Sequence, residues 1–143
     1  MKDATIRLLE ECYSGTVMRV ASIDEVLSSV KDQNLLRLLR DSKADHEKLG
    51  KEADSMLRSY NRDGPEPGMM AKGMSWMKTN LKLTMNPTDA AVADLITDGC
   101  HMGIKSLQQI LNDCAGAEPK AIDLTKQLMN LEDDLAENLR SYL

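Results

Sequence analysis

The chain has 143 residues, of which 42% are hydrophobic and 29% are charged, so its composition is that of one folded domain rather than of a disordered segment. Its net charge of −5 disfavours nucleic acid and anionic membranes as partners, because both need a basic surface. A charged beginning, no long apolar run and three cysteines without a CxxC pair predict a cytoplasmic protein with reduced thiols.

The first two helices are predicted at about residues 3–30 and 33–60. Apolar residues in both recur at alternating spacings of three and four, which is typical of helices that pack along a seam. The connection between them is short, so the second helix is expected to return antiparallel to the first. Ser42 and His46 are polar members of the second seam, and the breakers NRDGPEPG at 61–68 end that helix.

Residues 69–85 are rich in methionine and weakly basic, and they predict a short helix at about 69–84. Met70, Met74 and Met77 share one face of that helix, with Trp76 beside it. This stripe predicts packing over the bundle or a dimer interface, since methionine is common on adaptable surfaces. The alternative is soft copper(I) ligation by the thioethers.

The last two helices are predicted at about residues 88–114 and 119–142. Thr88 or Asn86 is expected to cap the third helix, and Pro119 is acceptable in the first turn of the fourth. The carboxylates Glu132, Asp133, Asp134 and Glu137 predict a solvated face. Together the elements predict one all-α domain over residues 1–143. It is a four-helix bundle of two antiparallel hairpins, with a helical crossover between helices 2 and 3, as in ferritin-like folds.

One segment, GMMAKGMSWMKTNLKLTMNPTDAAVADLITDGCHMGIKSLQQIL, resembles a family of uncharacterised bacterial ferritin-like proteins. The resemblance covers the middle third of the chain and implies the fold more than any activity. The residues that carry it are Gly73, Trp76, Leu81, Lys82, Asp89, Ala90, Ala91, Gly99, Ile104 and Lys105.

The resemblance also raises the question of a metal site. Ferritin-like metal proteins place a Glu on each of two helices and a Glu-x-x-His on each of the other two. Here Lys43 precedes His46 by three residues, and Asp98 and His101 are expected to point away from the inner face. The family's Gly-Glu pair reads Gly99-Cys100, and the fourth helix has no histidine. The sequence therefore lacks a complete di-iron ligand set.

His46 and Cys100 are both expected to face inward near the middle of their helices. The plainer interpretation of His46 is a neutral imidazole bonded to Ser42, Thr16 or a buried water. Cys100 is then a small buried hydrophobic residue, since a nucleophile would need an activating base and some exposure. The alternative is a metal site formed by His46, Cys100 and Asp24, for iron or zinc, although two or three ligands do not close a structural zinc site.

These features predict a non-enzymatic helical bundle that associates with itself, as a homodimer, and needs no cofactor. Two alternatives come from other functional classes. One is a metal-binding or redox protein that uses the partial site around His46 and Cys100. The other is a carrier of a small ligand, with a pocket among the polar residues of the seams.

Overall fold

The computed structural model describes residues 2–62 and 87–143, and these residues form four α-helices without a β-strand. The helices are α1 (Lys2–Leu27), α2 (Gln33–Ser59), α3 (Asp89–Asp113) and α4 (Pro119–Leu139), and a 3₁₀ turn at Arg140–Tyr142 follows α4. The all-α prediction is therefore confirmed over this part of the chain. The crossover helix predicted at 69–84 lies outside the described residues, as do Met70, Met74, Trp76 and Met77.

Two carboxylates accept hydrogen bonds from the backbone of the α1–α2 connection and of the first turn of α2. The Asp32 side chain accepts from the backbone N–H groups of Asn34 and Leu35 at 2.8 and 2.9 Å, which caps the start of α2. Asp89, in the first turn of α3, accepts from the N–H groups of Lys31 and Asp32 at 2.8 and 2.9 Å. This connection begins earlier than predicted, because α1 ends at Leu27 in a turn rather than continuing to residue 30.

The other helix ends follow from local chemistry as well. Thr88 caps α3 by accepting from the N–H of Ala91 at 3.1 Å, and Pro119 opens α4. At the end of α2, Asn61 adopts a left-handed φ of 56°, and the N–H of Arg62 returns to the carbonyl of Leu57 at 3.0 Å. That combination terminates a helix and suits asparagine better than most residues.

Two hydrophobic clusters fill the interior. The lower cluster consists of Ile6, Leu8, Leu9, Cys12, Leu49, Ala53, Leu57, Leu107, Cys114, Ala117, Ala121, Leu124 and Leu128. The upper cluster consists of Ile23, Val26, Leu35, Leu39, Val92, Ala93, Ile96, Cys100, Leu135, Ala136 and Leu139. The lower cluster therefore joins the starts of α1 and α4 to the ends of α2 and α3, whereas the upper cluster joins the opposite ends.

The cluster to which each helix end belongs shows the direction in which that helix runs. Helices α1 and α4 run from the lower to the upper cluster, and α2 and α3 run the other way. The pairs α1–α2 and α3–α4 are therefore antiparallel hairpins, whereas α2 and α3 run parallel to each other. α1 packs against all three other helices. Within the described residues, no helix is both long and apolar enough to cross a membrane.

Candidate functional site

A polar layer separates the two hydrophobic clusters. We use this name for Arg19 of α1, His46 of α2 and Glu132 of α4, which are 6%, 0% and 4% exposed. On each of these helices the polar residue lies in sequence between a residue of the lower cluster and one of the upper cluster. Buried ionisable groups are rare in protein interiors unless they are paired, so this layer is the most unusual feature of the described interior.

Arg19 and Glu132 form a bidentate ion pair across α1 and α4. Arg19 donates from Nε to Oε1 at 3.0 Å and from Nη2 to Oε2 at 2.7 Å. Both side chains are almost completely buried, which places this pair in the strongest class of charge-assisted hydrogen bonds. Burial by itself would raise the pKa of Glu132, but Arg19 and the hydrogen bonds from His46 and Arg19 outweigh burial and lower it from 4.5 to about 2. Glu132 is therefore a carboxylate at neutral pH.

The third guanidinium nitrogen of Arg19, Nη1, is hydrogen-bonded as well. Nη1 donates to the hydroxyl of Ser22 at 3.1 Å, and that hydroxyl in turn donates to the backbone carbonyl of Arg19 at 2.8 Å. Nη2 also approaches the sulfur of Cys100 at 3.6 Å. Burial opposes the charge of Arg19, but Glu132 raises the pKa of its guanidinium above the usual value. The guanidinium is thus a fixed cation held from α1, α3 and α4.

Helix α3 makes room for the guanidinium by carrying a glycine where it passes Arg19. A Cβ at Gly99 would lie 3.2 Å from Nη2 of Arg19, closer than most such contacts allow. A Cβ at Gly103 would lie 3.7 Å from Oε2 of Glu132. A larger residue at Gly99 would therefore have to displace the guanidinium.

His46 connects α2 to this ion pair. Its Nε2 lies 2.9 Å from Oε1 of Glu132, and its Nδ1 lies 2.8 Å from the backbone carbonyl oxygen of Ser42. The hydroxyl of Ser42 is farther from Nδ1, at 3.3 Å. The contact with Ser42 is one of those expected from the sequence, whereas the Thr16 hydroxyl donates to the carbonyl of Tyr13 instead.

The other predicted metal ligands, Cys100 and Asp24, do not complete a metal site with His46. Cys100 is buried beside Arg19, and burial raises the pKa of its thiol far above the usual value despite the opposing effect of Arg19. Asp24 is half exposed and pairs with Nζ of Lys43 at 2.7 Å on the outside of the α1–α2 pair. Across residues 2–62 and 87–143, no three His, Cys, Asp or Glu side chains are grouped so that they could hold a metal ion.

The solvated face predicted from the sequence is wrong for Glu132, and Arg19 was not predicted as a buried residue. Glu132 was predicted to be solvated with its acidic neighbours, but it is buried while Asp133 and Asp134 are exposed. The reason is register, because Glu132 lies four residues after Leu128 and three before Leu135, on the face that packs inward. Arg19 has the same signal, since it lies seven residues after Cys12 and four before Ile23. Charge led Glu132 to be assigned to the exterior, and Arg19 was assigned no role.

Two clefts lie on the outside of the described bundle. One, of about 320 Å³, is lined mainly by the first half of α1 together with Arg62 and Ile110. The other, of about 490 Å³, lies between α3 and α4 beside His101, Lys105 and Asp133. Neither is lined by a residue of the polar layer, so neither is the inner pocket expected for a ligand carrier.

No model of a known protein family matches this chain, and a search of curated proteins found no match either.

Proposed function

We propose that this protein is a non-enzymatic, self-associating bundle of the ferritin-like type, in which an internal cation takes the central place that metal ions take in ferritin-like metal proteins. The single observation that carries the proposal is the bidentate Arg19–Glu132 pair with His46, buried between the two hydrophobic clusters. A side-chain network of this kind holds three helices together without offering a substrate any access.

The donor set supports this view. In ferritin-like metal proteins, carboxylates and histidines of the bundle converge on a metal pair. Here a carboxylate of α4 and a histidine of α2 also converge, but on each other and on the guanidinium of α1. A divalent cation would have to displace Arg19, whose five donors suit a carboxylate and repel a metal. The helix directions are those of a bundle with one long crossover, which supports the ferritin-like part of the proposal.

Metal analysis of the untagged protein tests the central part of this proposal. After purification without chelators and incubation with Fe²⁺ or Zn²⁺, we expect far less than one equivalent of metal per chain. A stoichiometric metal that is lost in His46→Ala, but kept in His101→Ala, would contradict the proposal and favour the metal-binding or redox alternative. His101 is the matched control because it is the other histidine and is exposed.

Self-association is proposed from the methionine stripe at Met70, Met74 and Met77 with Trp76, as a homodimer. Light scattering coupled to size exclusion over a wide concentration range tests it. We expect a dimer whose population falls in a Met70→Ser/Met77→Ser double variant. Met102→Ser is the control, since Met102 is a methionine 55% exposed on the described surface of α3. A strict monomer at every concentration would contradict the self-association.

A further inference from the structure

We propose that His46 is an imidazolium in the native bundle, so that the polar layer contains a structural proton and weakens as the pH rises. This inference concerns the same layer as the proposed function, but it depends only on the hydrogen bonds of one ring. It would hold whether or not the protein associates with itself.

Both ring nitrogens of His46 face hydrogen-bond acceptors. The carbonyl oxygen of Ser42, 2.8 Å from Nδ1, has no hydrogen to give. The Oε1 atom of Glu132, 2.9 Å from Nε2, belongs to a carboxylate that already accepts two hydrogen bonds from Arg19. A neutral imidazole has only one N–H, so it can satisfy one of these acceptors. Two N–H groups, and hence the imidazolium, satisfy both.

The neutral alternatives are poorer in a ring with no exposed surface. A bare Nε2 would set its lone pair against the carboxylate of Glu132, and no water reaches the ring to relieve the contact. A bare Nδ1 would face the Ser42 carbonyl in the same way. It could accept from the Ser42 hydroxyl, but over 3.3 Å rather than 2.8 Å. The Ser42 hydroxyl can therefore contact the deprotonated ring, but more weakly than the Ser42 carbonyl contacts the protonated one.

Each packed helix presents a defined group to this ring. α4 presents the attracting carboxylate of Glu132, and α1 presents the repelling guanidinium of Arg19 behind it. α3 contributes the Cys100 thiol, which lies beside Arg19 and which burial keeps neutral. On α2 itself the next charged group is Lys43, and its ammonium is paired with Asp24 on the outside. With His46 protonated, two cations, His46 and Arg19, share one anion, Glu132. The Glu132 carboxylate then stabilises the proton on His46, and the guanidinium of Arg19 opposes it.

The sign of the pH dependence follows from proton counting. A histidine in an unfolded chain loses its proton around a pKa of about 6.5. If the folded chain keeps that proton, the unfolded chain binds fewer protons near neutral pH, and the free energy of unfolding falls as the pH rises. One retained proton corresponds to a fall in the folding equilibrium constant of up to about tenfold per pH unit.

Urea unfolding between about pH 6 and pH 7.8 isolates this effect. Below that window Glu11 contributes, because burial raises its pKa against the opposing effect of Arg7. Above it the cysteines contribute, since burial raises the pKa of Cys12 to about 11 and the thiols of the unfolded chain ionise first. We expect stability to fall with pH in the wild-type chain and in His101→Gln, and to be nearly flat in His46→Gln.

Nitrogen NMR of the wild-type protein with labelled histidines is the second measurement, and it does not require a variant to fold. At about pH 7 we expect the buried ring to carry protons on both nitrogens. A buried ring with one bare nitrogen at that pH would overturn the proposal. So would a pH slope that persists unchanged in a folded His46→Gln variant.

Discussion

Two contacts between α1 and α4 lie one heptad apart and differ in kind. In the lower cluster, the sulfur of Cys12 lies 3.2 Å from the hydroxyl of Thr125. Seven residues further along both helices, Arg19 pairs with Glu132. Between them Gly15 faces Leu128, and a Cβ there would lie 3.4 Å from Cδ2 of Leu128, an ordinary packing distance.

The α1–α4 helix pair therefore contains one contact whose loss costs little stability and one whose contribution depends on charge. The Cys12–Thr125 contact joins neutral groups, and the Thr125 hydroxyl already donates to the carbonyl of Ala121 at 2.8 Å. Losing such a contact costs about 1 kcal/mol. The ion pair is different, since removing one partner leaves a buried charge uncompensated, at a cost of about 3–5 kcal/mol. In the polar layer, therefore, a substitution that removes a charge destabilises the fold even when it keeps the shape of the side chain.

The largest expected effect is that of Glu132→Gln. The substitution keeps the shape of the side chain but leaves Arg19 and His46 without their carboxylate, so we expect a loss of about 3–5 kcal/mol in unfolding free energy. Urea denaturation followed by circular dichroism measures it. Asp133→Asn removes the same charge from the exposed neighbour and should leave stability almost unchanged. Equal losses of unfolding free energy in the two variants would mean that the buried carboxylate stabilises the fold no more than the exposed one.

Acid should reproduce that loss in the wild-type chain. The native pKa of Glu132 is lowered to about 2 from 4.5, so its carboxylate stabilises the fold fully above pH 4.5. That contribution is lost as the pH falls from 4.5 towards 2, because the native carboxylate must then be protonated. Unfolding free energies measured across this window should fall more steeply in the wild-type chain than in Glu132→Gln. Parallel slopes would contradict the ionised pair.

Leu128→Ala probes packing just below the layer. Leu128 is 1% exposed in the lower cluster, so its removal should cost about 2–5 kcal/mol through lost burial and the cavity left behind. Unlike the loss in Glu132→Gln, this loss should be the same at pH 4 as at pH 7, because no proton is involved. Denaturation curves at the two pH values make the comparison. A cost that changed with pH would mean that packing and the ion pair are coupled.

Thr125→Val should have the smallest measurable cost. It replaces the hydroxyl that meets Cys12 with a methyl group of similar size, and we expect a loss of about 1 kcal/mol. Thr97→Val is the matched control, because the Thr97 hydroxyl is buried without a hydrogen-bond partner in the described structure. That change should be neutral or stabilising. If both variants lost the same stability, the Cys12–Thr125 contact would contribute nothing specific.

The helices were predictable from the sequence because apolar spacing and cap residues are local signals. Thr88 caps α3 as expected, and His46 and Cys100 both lie in the interior. The polar layer was not predictable to the same degree. Arg19 and Glu132 are 113 residues apart in the sequence, and each looks like a surface charge until both are seen to occupy inward positions. Their position one heptad after Cys12 and Thr125 was the available signal that both face inward. That signal is missed when every charged residue is assigned to the exterior.

A double-mutant cycle on Arg19→Met and Glu132→Leu tests most directly whether the two charges form one buried unit. Each single variant leaves a charge without its partner, whereas the double variant replaces both with apolar groups. We expect each single variant to lose about 3–5 kcal/mol, and the double variant to lose clearly less than their sum, with a coupling energy of about 2–3 kcal/mol. Losses that add to within about 0.5 kcal/mol would contradict the coupled polar layer.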